Sequence, residues 1–290
     1  MRRRGRAILM ALLLLGCTIV GLDCSADRLI LGENHDVVNP GSARRAVIRV
    51  DGRAVEYWVK RSPAAAAPEP RAFVLFFIGK AARADAWLDQ VAQSWNPWPV
   101  EVWAMNYPGS GGSDGPVRVA QVSPDAVALF DAARAVAGNR PIFVQGVSFG
   151  TTAALSVAAR RPVAGVVLQN PPPLKQLILG KYGWFNLWLL AGPIAAQVPR
   201  DLDSVDNAAR STAPVIFILS DQDQLIPPKY HEMIVNAYAG PKRVIHMPTA
   251  GHDTPLTHDA AEALARDKAW LFELTSPGGR PNVSADGKLN

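Results

Sequence analysis

The stretch "FVQGVSFGTTAAL", residues 143–155, sets Ser148 between Gly146 and Gly150 at the end of an apolar run. A serine hydroxyl becomes a useful nucleophile only when a neighbouring base takes its proton, and that base needs a carboxylate to orient it. The pattern G-x-S-x-G occurs a second time, around Ser113 in Gly111-Gly112-Ser113-Asp114-Gly115. Ser148 passes from an apolar run directly into a helix-compatible segment rich in small residues, the strand-turn-helix setting that a nucleophile elbow needs. Ser113 follows a long glycine-rich loop, with Pro116 close behind and no helical pattern, and reads as a loop residue. Around Ser148 the glycines answer crowding, because side chains two positions to either side would strike the adjoining strand and helix.

Candidate partners lie in the C-terminal third. "PVIFILSDQDQLIPP" places Asp223 in the loop after one apolar run, with Asp221 as its competitor, and "RVIHMPTAGHD" places His252 in the loop after the next. Carboxyl ends of neighbouring parallel strands open on one crevice, so residues far apart in sequence can meet there. Of the other histidines, His246 is expected to point into or along the sheet. His231 and His258 are expected at solvent-facing helix ends, and His35 outside the core. Asp253 reads as a loop cap.

Those loops need a scaffold of alternating elements. "AVIRV" (46–50) and "AVEYWVK" (54–60), joined by Asp51-Gly52, form a predicted hairpin. "AFVLFFI" (72–78), "VEVWAMNY" (100–107), "PIFVQGV" (141–147), "VAGVVLQ" (163–169), "PVIFILS" (214–220) and "KRVIHMP" (242–248) follow as strands. Runs apolar throughout suit strands covered on both faces. Helices are predicted over 85–95, 123–138, 229–240 and 259–274, with Ser123 capping the second and Pro124 at its first position. Strand and helix in alternation imply an α/β fold with a mostly parallel sheet.

The 290 residues are 49% hydrophobic, enough for a substantial core. Formal net charge is +5, but four arginines fall in "MRRRGR", and without them 26 basic residues face 25 acidic ones. The body is nearly neutral and predicts no nucleic-acid partner. The arginines precede the apolar run "AILMALLLLGCTIVGL", an arrangement of a secretory signal shorter than the roughly 20 residues of a spanning helix. Residues 1–26 therefore read as a signal peptide, a lipoprotein signal with Cys17 as the acylated residue, or an uncleaved anchor. Both cysteines, Cys17 and Cys24, lie there, which excludes a disulfide or thiolate chemistry in the remaining chain. A polar, glycine-rich tail over 276–290 is expected to be disordered.

Residues 72–260 resemble the α/β-hydrolase superfamily, and particularly its S33 aminopeptidase-like serine hydrolases and their membrane-associated relatives. The likeness rests on "NYPGSGGSDG" (106–115), "GVSFG", "DQLIPP" and "AGHD". It implies an α/β-hydrolase domain over 45–275, with residues 171–213 as a short helical cap. Ser148 would be the nucleophile, His252 the base and Asp223 its orienting acid. Backbone amides of Phe149 and Lys80 would hold the oxyanion. Ile78 stands where relatives often carry a histidine, which removes a loop-orienting group. The resemblance implies neither cofactor nor metal. It implies a small-molecule or lipid ester as substrate, with a peptidase or a catalytically silent binding protein as alternatives. With the N-terminus, it places the protein in the bacterial cell envelope, associated with the membrane.

Overall fold

The computed structural model describes residues 26–39, 41–65, 69–184 and 189–275. The N-terminal cationic and apolar segment, with Cys17 and Cys24, and the C-terminal tail lie outside the described residues. Eight strands form one sheet: β1 (Arg44–Val50), β2 (Arg53–Arg61), β3 (Ala72–Phe77), β4 (Val100–Met105), β5 (Ile142–Val147), β6 (Gly165–Gln169), β7 (Val215–Ser220) and β8 (Lys242–Met247). Their spatial order is β1-β2-β4-β3-β5-β6-β7-β8. β2 runs antiparallel to both β1 and β4, and every later pairing is parallel. β3, β4 and β7 are buried at every position, β3 as an unbroken apolar run and β4 and β7 with Glu101 and Ser220 as their polar members. β8 closes the edge and alternates exposed and buried positions toward its end.

The main helices are α1 (Ala84–Ser94), α2 (Val119–Ala137) and α3 (Gly150–Ala158), then the short α4 (Leu174–Leu177) and α5 (Ala191–Ala196), then α6 (Ser204–Arg210), α7 (Pro228–Ala237) and α8 (His258–Thr275). α2, α3, α6 and α7 pack in succession on one face. On the other face, Lys268 of α8 donates to the Ser94 carbonyl that ends α1, at 2.7 Å. The sheet is thus the middle of three layers, and the segment between β6 and β7 carries the cap helices α4 and α5.

α2 departs from expectation. It begins at Val119, leaving Pro124 inside it, and Ser123 is no cap but a buried partner of Ser156, Oγ to Oγ 2.6 Å. The amide of Val119 instead donates to the Asp27 carboxylate at 2.9 Å, with Arg118 beside it. A carboxylate at a helix N-terminus is favourable, but this one comes from a distant segment that no local pattern could reveal. Residues 26–39 belong to the packed body, with Ile30 and Leu31 buried in its core.

Candidate active site

β3 pairs with β4 on one side and β5 on the other, so the chain reverses direction of travel across the sheet at β3. Loops leaving β3 and β5 therefore part and open a crevice at their carboxyl ends. Ser148 sits there, between β5 and α3, at φ 50°. A non-glycine residue in this left-handed region is uncommon and strained, and here the surroundings fix it. A Cβ at Gly150 would lie 2.0 Å from the Phe77 carbonyl oxygen, and one at Gly146 would lie 2.6 Å from the Gly150 carbonyl oxygen. Both glycines are thus steric necessities of the tight strand-to-helix turn.

The structure brings Ser148, His252 and Asp223 together. His252 Nε2 lies 3.0 Å from Ser148 Oγ, and His252 Nδ1 lies 2.6 Å from Asp223 Oδ2. The carboxylate fixes the tautomer: Nδ1 carries the proton that it donates, which leaves the Nε2 lone pair for the serine hydroxyl. Asp223 Oδ1 accepts from the amides of Leu225 and Ile226 at 2.8 and 2.7 Å. Burial pushes the Asp223 carboxyl up, but the imidazoles of His231 and His252 and the Ile226 amide outweigh burial and hold it well below the usual carboxylate range. Asp221 is engaged elsewhere, with His246 Nδ1 at 2.8 Å.

His231 corrects the expectation of a solvent-facing helix end. It is buried, with Nε2 3.4 Å from Asp223 Oδ2 and Nδ1 3.1 Å from the Pro171 carbonyl. That carbonyl only accepts, so Nδ1 carries a proton, and Nε2 meets the carboxylate as a hydrogen-bond donor only when the ring is cationic. His246 does not point into the sheet either; on edge strand β8 it is more than half exposed. His258 is exposed beside Glu262. Asn170 is a further residue that sequence reasoning missed. At φ 50° it accepts from the Ser220 amide at 2.9 Å and donates to the His252 carbonyl at 3.3 Å, tying the histidine loop to the ends of β6 and β7.

Gly79 faces the serine: a Cβ there would lie 3.6 Å from Ser148 Cβ. Among the described residues, the amides of Phe149 and Lys80 carry no hydrogen bond to a protein acceptor. The missing histidine of this loop has a substitute. Tyr107, buried and edge-on to Phe149, donates its hydroxyl to the Ile78 carbonyl at 2.7 Å. Burial pushes the Tyr107 hydroxyl up, which keeps its proton in place for that bond.

A cavity of about 480 Å³ opens at Ser148 and His252 and runs beneath α1, lined by Ile78, Trp87, Val91, Val147, Ile218 and Leu256 among others. Asp253 is the one carboxylate among its described lining residues. A larger cavity, about 580 Å³, lies at the β1–β2 edge but holds none of the groups above. Among the described residues, no group of three or more His, Cys, Asp or Glu side chains could hold a metal ion.

Strand order, elbow and loop placement coincide with one known architecture, and residues 68–192 match the family model described as serine aminopeptidase, S33. The chain has the α/β-hydrolase fold. One solved structure of similar architecture is Est1E from Butyrivibrio proteoclasticus, with ferulic acid bound. That structure is similar at TM-score 0.65 with 18% identity, over 78% of this chain and 99% of that one. A bacterial membrane phospholipase A is similar at TM-score 0.55 with 18% identity, over 95% of this chain and 99% of that one. In sequence, the chain is 27% identical over 182 residues to the uncharacterized protein Rv2307c of Mycobacterium tuberculosis. That match spans 62% of this chain and 62% of the relative's length.

Proposed function

We propose that the protein is a serine hydrolase of carboxylic esters working through an acyl-enzyme. The observation that carries this reading is the continuous hydrogen-bond chain from Ser148 through His252 to Asp223 at a strained, glycine-flanked elbow. Ser148 Oγ attacks the ester carbonyl carbon while His252 Nε2 takes its proton. The carbonyl π pair moves onto oxygen, where the amides of Phe149 and Lys80 donate to it. The N-terminus of the nine-residue helix α3 begins two residues after Ser148 and favours the same negative charge. Collapse breaks the bond to the alcohol, which leaves with the proton from His252. Water then repeats the sequence on the acyl-enzyme and frees the acid and Ser148.

The mainly apolar cavity favours an acyl chain, and lipid or acyl esters suit it best. An aminopeptidase must hold a substrate ammonium, and the single lining carboxylate, Asp253, gives it little to hold. The envelope location and a membrane-associated N-terminus, with Cys17 as the acylation candidate, are part of this proposal. Their support is the cationic and apolar N-terminal sequence. No helix among the described residues is long and apolar enough to cross a membrane.

Stopped-flow hydrolysis of p-nitrophenyl butyrate, set beside an aminoacyl p-nitroanilide, tests the reading. We expect ester turnover with a burst equal to the enzyme concentration, and a loss of roughly a thousandfold or more in Ser148→Ala. Turnover of the anilide alone would place the protein with the aminopeptidases.

A further inference from the structure

The peptide that presents the Lys80 amide is the one joining Gly79 to Lys80, and the planes on either side of it are pinned by different parts of the chain. The preceding plane is held by the Tyr107 hydroxyl on the Ile78 carbonyl. The following plane is held from the N-terminal segment: the Ala81 amide donates to the Leu31 carbonyl at 2.9 Å. One plane further on, Asn34 Nδ2 donates to the Ala81 carbonyl at 3.0 Å. Lys80 Nζ also donates to the Leu29 carbonyl, so its side chain is not merely a solvated loop lysine. Ala81 itself stands at φ 53°, a left-handed conformation that a non-glycine residue keeps only under constraint.

The same segment is anchored on both sides of this contact. Asp27 accepts from the first amide of α2. The Asn34 amide donates to Ser110 Oγ at 3.1 Å and the Gly111 amide donates to the Asn34 carbonyl at 3.0 Å, which fastens the segment to the glycine-rich loop after β4. Arg83 Nη1 donates to the Asp36 carbonyl at 2.6 Å. Where the segment crosses the loop it has a glycine, Gly32 at φ 71°, and a Cβ there would lie 2.8 Å from Ala81 Cβ.

We propose that residues 27–36 are a strap that sets the orientation of the Gly79–Lys80 peptide, with Gly32 and Asn34 as positioning residues for the oxyanion. The strap works alongside Tyr107, which holds the plane before that peptide, in a loop where Ile78 stands in place of an orienting histidine. The inference rests on the serine-hydrolase reading above.

The test uses the full chain in detergent, with Gly32→Ala and Asn34→Ala compared against wild type. Active sites are first counted by fluorophosphonate titration. Then kcat per titrated site, KM for p-nitrophenyl butyrate and the affinity of an aryl trifluoromethyl ketone, whose serine adduct carries an oxyanion, are measured. Loss of a whole oxyanion donor costs about 100- to 1,000-fold, so a misaligned one is expected to cost about 10- to 100-fold in kcat. Ketone affinity should fall by the same factor, with KM within about twofold. Unchanged kcat per titrated site in both variants, or a loss explained wholly by fewer titratable sites, overturns the strap and leaves the hydrolase reading standing. A folded wild-type chain that neither turns over the ester nor binds the ketone overturns both.

Discussion

Asp223 is a buried carboxylate with three hydrogen-bond donors on it, His252 Nδ1 and two backbone amides, and with His231 Nε2 beside it at 3.4 Å. Its native pKa lies below that of a free aspartate, about 4. The folded state therefore binds its proton less readily than the unfolded chain does. That contribution to stability is complete above the unfolded value and drains away as pH falls through the lowered native one. In Asp223→Asn, denaturation midpoints below about pH 4 should fall less steeply than in wild type, and kcat should drop at least about 100-fold through the wrong His252 tautomer. Lys268 acts in the same sense over a higher pH window, here because burial disfavours its charged form. Burial pushes its ammonium down to about 7, with Nζ on the Ser94 carbonyl and 4.3 Å from the Trp95 ring centroid. Between about pH 7 and 10 the unfolded chain holds a proton that the folded one lacks, so stability rises with pH across that window. Urea midpoints at pH 6.5, 8 and 9.5 should climb in wild type, and Lys268→Met should remove that climb. Ser148 and His252 were legible as candidates from residue type and distance from an apolar run, whereas Asp223 was set apart from Asp221 only by the resemblance, through its spacing to the prolines that follow. His231 was not, because a histidine one turn from Pro228 reads as a solvent-exposed helix end. The clue was that it shares a helix face with Ile234, three residues on, which is also buried.

At the scale of elements, the strands were legible by different signals: β3, β5, β6 and β7 as largely apolar runs, β1 and β2 as a hairpin around Asp51-Gly52, and β4 and β8 as short runs rich in Val, Ile and aromatic residues. The start of α2 was not. Its cap, Asp27, is 92 residues from the amide it accepts, and Pro124 looked like a first helical position when it lies within the helix. The meeting of α3 with β3 is the closest backbone approach at the site. Gly150, the first residue of α3, abuts the carbonyls of Phe77 and Ile78, at 2.0 and 2.5 Å from its hypothetical Cβ. Gly150→Ala must push helix and strand apart. Overpacking of this kind costs about 1–3 kcal/mol, and the strand end that moves leads into the loop that carries Gly79 and Lys80. A lowered melting temperature by calorimetry, together with at least a tenfold fall in ester turnover, is the expected outcome.

Across the whole molecule, three sets of segments distant in sequence converge on the ends of β3 and β5: the elbow after β5, the acid and histidine loops after β7 and β8, and the segment that precedes β1. The first two follow from the parallel sheet and its change of direction at β3. The third carries no hydrophobic period and no motif, and a reading by elements leaves it unassigned between the apolar N-terminal run and the first strand. Only the tertiary structure shows Leu31 and Asn34 bonded to Ala81 in the loop after β3. The central claim is that Ser148, activated by His252, is the nucleophile of this assembly. Its most direct test is to label the purified full-length chain with a fluorophosphonate probe and map the adduct by peptide mass spectrometry. The account predicts one adduct, on Ser148, absent in Ser148→Ala and slowed at least about 100-fold in His252→Ala. Labelling at another serine, or none in protein whose circular dichroism shows it folded, would contradict it.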